Sequence, residues 1–401
     1  MKIYYGKAVY NNEEISASIK VLKNKSLTLI DGPSCKKLEA QLTKLFGKKY
    51  GLMVNSGSSA NLIALASLNL KPGSEIITPT LTFSTTVSPI YQLGLKPYFI
   101  DVEKNSFLSK ISQIKNCINK NTRAIILPNL IGNVIDWKKV HSIAKKYNLK
   151  VIEDSADTVG YKYNNKNLGR YSDITTNSMY ASHIITGAGS GGFVCFNDYK
   201  TYLKAKLLRG WGRSSATFNE SEGIKHRFNK KVDGIPYDGK YIFSEMGYNF
   251  LPSELSAAFA LQQLKKLKKN IRIREKNFKT LKEYFRKNHF KYIDLPEQNK
   301  NIKTGWLAYP VIIKKNRKFK RKKLQIFLEK NNIQTRTIFT GNILRQPLMN
   351  NRVYKKHKDS EINSNNIMEN GLLIGCHHGL SSKDISFIKK KFDLFFEKYV
   401  Y

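Results

Sequence analysis

From about residue 50 to about residue 200, short apolar runs alternate with longer stretches of mixed apolar and polar positions. Seven runs read as strands: 51–55, 75–78, 97–101, 124–128, 150–153, 174–178 and 192–196. They are short and largely apolar rather than alternating, as strands buried on both faces are. Between them, 60–68, 85–93 and 137–147 space their apolar residues at helical intervals. The alternation predicts an α/β fold, with a mostly parallel seven-stranded sheet between helical layers. In such sheets, ligands bind beyond the carboxyl ends of the strands.

After residue 196 the pattern changes. A helix is predicted over 198–209, then a loop over 210–240 rich in Gly, Ser and charge. A long helix follows over 252–288, starting behind Pro252-Ser253 with Glu254 in its first turn. Residues 290–401 mix short strands with basic helices. The predicted division is a large domain over 1–265, including an N-terminal arm, and a smaller C-terminal α/β domain over 266–401.

Composition narrows the function classes. The chain has 401 residues, 41% of them hydrophobic, enough for a sizeable core. No apolar run approaches the roughly 18 residues of a membrane span, and the N-terminus has no signal-peptide core. A cytoplasmic protein without membrane contact is expected. The formal charge of +39 raises nucleic-acid binding as one reading. However, the lysines are spread along the chain, and no nucleic-acid-binding motif accompanies them. No nucleic-acid partner is expected, and a basic surface suits a diphosphate-bearing substrate. Cys35, Cys117, Cys195 and Cys376 are scattered without a CxxC pair, so neither a zinc site nor a disulfide framework is indicated.

Three motifs carry candidate chemistry. Asn55-Ser56-Gly57-Ser58-Ser59-Ala60-Asn61 ends a strand, turns at glycine and opens a helix. Such N–H groups with flanking hydroxyls suit one phosphate, although the same pattern also serves as a plain helix cap. Val151-Ile152-Glu153-Asp154-Ser155-Ala156-Asp157 ends an apolar strand on acids. A carboxylate buried there needs a positive partner, unless it merely caps a helix. The third motif runs from Ser178 through His183 to a Gly-rich tail at Gly187–Gly192. Ser178 offers a second hydroxyl to the phosphate. A lone histidine is more often structural than catalytic, so His183 draws its interest from its neighbours.

The motifs, with their order and spacing, resemble the DegT/DnrJ/EryC1/StrS family of sugar aminotransferases. The resemblance covers nearly the whole chain. It implies pyridoxal-phosphate fold type I, like aspartate aminotransferase. It assigns Gly57, Ser58 and Ser178 to the cofactor phosphate, Asp154 to the pyridine nitrogen, Phe83 to stacking on the ring and Asp157 to the region of the 3-hydroxyl. It also implies a homodimer in which Asn249 and the loop 210–240 serve the neighbouring subunit's site. Arg213, Arg336 and Arg345 are candidates for the substrate diphosphate or a donor carboxylate. Cys376-His377-His378-Gly379 is read as a turn.

In that family a lysine 29 residues after the aspartate holds the cofactor covalently. Here that position is His183, and no lysine lies between Lys166 and Lys200. The change resembles a subgroup of sugar-nucleotide 3-dehydratases. Histidine cannot hold the cofactor covalently, so it can rest as the free amine, pyridoxamine phosphate. An imidazole titrating near neutrality suits moving the proton at C4′ and helping the C3 hydroxyl leave. One branch of the subgroup carries an iron–sulfur cluster on cysteines after the Arg-x-Trp-Gly-Arg stretch. No cysteine follows Arg213 through residue 250, so no cluster is expected. The function implied is C3 dehydration of a nucleotide-linked 4-keto-6-deoxy sugar, with glutamate as amino donor. The alternatives are a sugar aminotransferase with a displaced lysine and, from another class, a non-catalytic nucleic-acid-binding protein.

Overall fold

The computed structural model describes residues 2–163, 166–167, 169–218, 223–299 and 301–401. Seven strands build the central sheet: β1 (Tyr50–Val54), β2 (Glu75–Pro79), β3 (Lys96–Ile100), β4 (Thr122–Pro128), β5 (Lys150–Asp154), β6 (Ile174–Ser178) and β7 (Gly192–Phe196). Their spatial order is β1-β7-β6-β5-β4-β2-β3. Only β7 runs against its neighbours. The predicted strands match to within one or two residues, and the mostly parallel sheet is as expected. An eighth strand, Lys355–Lys356, adds to the β3 edge in parallel. Two exposed lysines have no apolar signature, so hydrophobic patterning could not reveal it.

Both faces of the sheet are covered. One face sends Leu52, Val54, Ile76, Ile126 and Val194 against Ala60, Ile63 and Ala64 of a helix at Gly57–Ala66. The other sends Met53, Ile77, Ile125, Val151 and Phe193 against Leu38 and Leu42 of a helix at Pro33–Phe46 and Val140 of one at Trp137–Lys146. Burying each such side chain stabilises by about 1.5–3 kcal/mol before ordering costs. This two-sided burial explains the continuous apolar strands. In chain order the covering helices are α1 (Asn12–Lys23), α2 (Pro33–Phe46), α3 (Gly57–Ala66), α4 (Ser84–Gln92), α5 (Trp137–Lys146), α6 (Tyr199–Arg209) and α7 (Glu254–Asn288).

Helix α7 begins at Glu254, two residues later than predicted. Glu254 caps another helix, accepting from the N–H groups of Ser34 and Cys35 in the first turn of α2. The helix runs unbroken through residue 265, the expected domain boundary. Its first half, through Ala257, Ala260 and Leu267, joins the core under the central sheet. Its second half, through Phe278, Leu281 and Phe285, joins a separate C-terminal core. That core lies on an antiparallel sheet of Ile293–Asp294, Tyr309–Ile313, Gly371–Ile374 and Arg336–Thr337, in that order. Ile3 also packs into it, so the first residues of the N-terminal arm sit with the C-terminal part.

The predicted loop 210–240 contains a short helix, Ile224–Phe228, and a hairpin of Lys230–Val232 with Ile235–Tyr237. Residues 219–222 of that loop lie outside the described residues. Among the described residues no helix is long and apolar enough to cross a membrane.

Candidate active site

The carboxyl ends of β1, β4, β5 and β6 open on one cavity of about 520 Å³. A larger cleft of about 1130 Å³ lies between 103–115 and 134–143, but it is open and holds none of the three motifs. The smaller cavity brings together Gly57, Ser58, Phe83, Asp154, Asp157, Ser178 and His183.

At one end, Ser56 caps α3 by accepting from the Ser59 N–H at 3.1 Å. Gly57 and Ser58 form the first turn and line the cavity, so the positive end of the helix faces it. Ser178 closes this end from β6. A Cβ on Gly57 would lie 2.5 Å from Ser178 Cβ and 2.9 Å from its Oγ. Glycine is required here by close approach, and the result is a hydroxyl set against a helix N-terminus.

At the other end, Asp154 terminates β5 and is 4% exposed. Its Oδ2 accepts from Asn61 Nδ2 at 2.8 Å and Thr86 Oγ1 at 2.9 Å, and its Oδ1 accepts from the Ala156 N–H at 3.1 Å. Asn61 is itself oriented by Thr176, whose hydroxyl donates to Asn61 Oδ1 at 2.6 Å. Burial raises the Asp154 pKa, and these hydrogen bonds lower it in part. Among the described residues no side-chain cation pairs with it. A buried, unneutralised carboxylate facing a cavity suits a cationic ligand atom.

Asp157 and His183 form the remaining wall. Asp157 Oδ2 accepts from the Ile131 N–H at 2.8 Å, and its Oδ1 lies 3.9 Å from His183 Nε2. Burial, with the Asp154 charge adding to it, pushes Asp157 up to about 7. His183 Nδ1 lies 3.3 Å from the carbonyl oxygen of Ser178. A carbonyl can only accept, so Nδ1 carries the hydrogen and Nε2 the lone pair. Burial lowers His183 to about 4, below the near-neutral titration expected from the sequence, which leaves the imidazole neutral at pH 7 with its Nε2 lone pair free.

The other predicted residues lie farther out. Phe83 is on the cavity wall, half-exposed, with Phe339 edge-on at 6.4 Å. Arg336 does not line the cavity; its guanidinium lies 5.9 Å from the centre of the Tyr5 ring. Arg345 is outside the cavity and donates from Nε to Asn365 Oδ1 at 2.6 Å. Arg213 is also outside, over the Trp211 ring at 4.4 Å, and Asn249 is exposed beside Gly210. His377, in the Cys376–Gly379 turn, holds the Tyr4 carbonyl through Nε2 at 3.2 Å.

The sequence reading missed Asn61, Thr86 and Tyr5. Asn61 stands four positions after Gly57, on the same face of α3, so helical spacing pointed to it. Nothing local marked Tyr5, which enters the cavity from the other end of the chain.

A model of the DegT/DnrJ/EryC1/StrS aminotransferase family matches residues 9–393. The chain is 32% identical over 393 residues to GDP-4-keto-6-deoxy-D-mannose 3-dehydratase of Escherichia coli O55:H7, covering 96% of this chain and 97% of that one. It is 33% identical over 373 residues to dTDP-4-dehydro-2,6-dideoxy-D-glucose 3-dehydratase of Saccharopolyspora spinosa, covering 90% and 80%. A crystal structure of GDP-4-keto-6-deoxymannose-3-dehydratase with a trapped PLP-glutamate geminal diamine superposes with a TM-score of 0.86 at 30% identity, covering 97% of this chain and 99% of that one.

The cavity fits pyridoxal phosphate: the α3 N-terminus and Ser178 suit its phosphate, and the unneutralised Asp154 suits its ring nitrogen. With the sheet order, this cavity and a match along nearly its whole length, the chain belongs to the DegT/DnrJ/EryC1/StrS aminotransferase family.

Proposed function

We propose that the protein is a pyridoxal/pyridoxamine-phosphate-dependent 3-dehydratase. Its substrate is a nucleotide-linked 4-keto-6-deoxy sugar, hexose or heptose, and its product the 3,6-dideoxy-4-keto sugar. Glutamate restores the cofactor amine. The observation that carries this reading is His183, which occupies the lysine position with Nε2 free to act as a base. No lysine is among the described residues lining the cavity. The 3-dehydratases among the similar proteins support it.

Gly57, Ser58 and Ser178 hold the phosphate in this reading. Asp154 keeps a proton on the pyridine nitrogen, Phe83 covers the ring, and Asp157 faces the 3-hydroxyl. Bound in its amine form, the cofactor supplies the nitrogen that meets the sugar ketone and the electron sink for loss of the C3 hydroxyl. His183 Nε2 takes the proton from C4′ and returns it to the departing C3 oxygen. The Ser178 carbonyl fixes the imidazole orientation, and Asp157 supports the transient imidazolium.

The reading extends to a cytoplasmic homodimer, with the large and small domains dividing within α7. Asn249, Arg213 and the 210–240 segment serve the neighbouring subunit, and Arg336 and Arg345 meet substrate or donor anions. It includes no iron–sulfur cluster and no nucleic-acid partner.

The test is an absorbance spectrum with pyridoxal phosphate before and after glutamate, with borohydride reduction alongside. Loss of the aldehyde band, growth of the amine band and no cofactor fixed by borohydride are expected. His183→Asn should keep cofactor binding and lose sugar turnover by about 10²–10⁴-fold. Cofactor fixed to a lysine by borohydride would instead identify an aminotransferase.

A further inference from the structure

The N-terminal segment pairs with residues 332–334, just before the C-terminal strand Arg336–Thr337, and reaches the cavity at Tyr5. Ile3 is 1% exposed; its N–H donates to the Asn332 carbonyl at 2.8 Å, and its carbonyl accepts from the Gln334 N–H at 2.8 Å. The Tyr5 N–H donates to Gln334 Oε1 at 3.1 Å. One residue on, Gly6 abuts the residue before His183: a Cβ there would lie 2.7 Å from Ser182 Cβ. The segment is thus held by Asn332 and Gln334 of the C-terminal part at one side and packed on the His183 turn at the other. Between these anchors Tyr5 joins the cavity wall.

The Tyr5 ring packs against the C-terminal core, but its hydroxyl is unengaged. Among the described residues its hydroxyl makes no hydrogen bond, yet it is not sealed from the cavity. Buried phenols normally find a partner. Burial, then the nearby Asp157 and Cys376, raise its pKa above the usual 10, while Arg336 and Arg274 oppose that. The phenol therefore stays neutral and able to donate.

The cofactor-side residues, Gly57, Asp154, Asp157, Ser178 and His183, come from the central sheet, its loops and the first turn of α3. Tyr5, Leu307 and Phe339 line the same cavity from the N-terminal segment and the C-terminal part. A neutral hydroxyl there matches sugar oxygens better than the carboxylates of glutamate, which favour cations.

We propose that Tyr5 is a further substrate-contacting residue, donating a hydrogen bond from its phenol to a sugar oxygen near the reacting carbon. This rests on the sugar-dehydratase reading. The test compares wild type with Tyr5→Phe, which keeps the ring and removes only the hydroxyl, after matching their melting temperatures. Two half-reactions are followed separately by absorbance: conversion of the pyridoxal form by glutamate, and single turnover of the pyridoxamine form with GDP-4-keto-6-deoxymannose and dTDP-4-keto-6-deoxyglucose. Tyr5→Phe should leave the glutamate step within twofold and slow the sugar step about tenfold. A sugar step within twofold of an active wild type would overturn the role of Tyr5 alone. Equal slowing of both steps would also overturn it, assigning Tyr5 to the cofactor or the fold. A wild type inert toward both sugars would remove the hexose-dehydratase reading and this inference with it.

Discussion

Asp157 and His183 are displaced by burial in opposite directions, and each displacement has a sign in stability. Asp157 rises to about 7 from an ordinary 3.8, so the folded protein holds this proton more tightly than the unfolded chain. Its contribution therefore costs stability progressively as pH climbs from about 4 to about 7. His183 falls to about 4 from 6.5, so its cost is greatest at acid pH and vanishes as pH rises towards 6.5. Asp157→Asn removes the first effect and leaves the second nearly unchanged, while its amide oxygen can still accept from Ile131. In the cofactor-free protein, the melting temperature of Asp157→Asn relative to wild type should climb by several degrees between pH 4.5 and pH 8. A constant difference across that range would show that Asp157 is not a buried, protonated acid. The backbone beside it is strained. Ile131 is β-branched at φ 59°, a conformation costing of order 1–3 kcal/mol, and its N–H is the donor to Asp157.

The elements differ in what their contacts demand. Helix α3 must begin where β6 ends, and the Gly57–Ser178 contact allows no side chain between them. Gly57→Ala should destabilise the protein by about 1–3 kcal/mol and weaken cofactor binding, because overpacking pushes the helix end from its place. Adding Ser178→Gly removes the Cβ and Oγ that clash, so the double variant should melt above Gly57→Ala while still binding cofactor poorly. If the second change brings no recovery, the clash is not the cause. The C-terminal half of α7 packs Phe278 on Trp306 with ring centres 4.3 Å apart and Phe285 on Tyr309 at 5.3 Å. One helix thus binds two cores, and the C-terminal wall of the cavity inherits that rigidity.

For the whole molecule, the exposed apolar surface is concentrated on the segment after Arg213. Ile224 is 77% exposed, Ile235 64% and Met246 97%. Patches of this kind mark interaction sites. In the homodimer proposed above, this segment and Asn249 would meet the second copy of the chain. The expected mass at micromolar concentration is a dimer. A charged pair, Ile235→Asp with Met246→Asp, should shift it towards monomer and reduce cofactor affinity and turnover together. Sedimentation velocity with a cofactor titration checks this. A stable wild-type monomer with full turnover would remove the shared-site reading.

The order of strands and helices was legible because each element buries apolar side chains at its own period, a property of local sequence. The strand ends carrying Asp154 and Ser178 were equally legible, since they lie within short motifs, and the structure brings them into one cavity with His183. Other features depended on which distant segments meet. Lys355–Lys356 becomes a strand only because β3 offers an open edge. Glu254 reads as the start of its own helix but caps α2, whose N–H groups arrive from some 220 positions away. Tyr5 carries no motif and reaches the cavity only through its bonds to Gln334 and the packing of Gly6 on Ser182. The neutral state and tautomer of His183 are likewise tertiary, because desolvation and the Ser178 carbonyl set them. Local patterning determined the elements and the reacting groups; burial and long-range contact, which no short window of sequence contains, decided their partners and protonation.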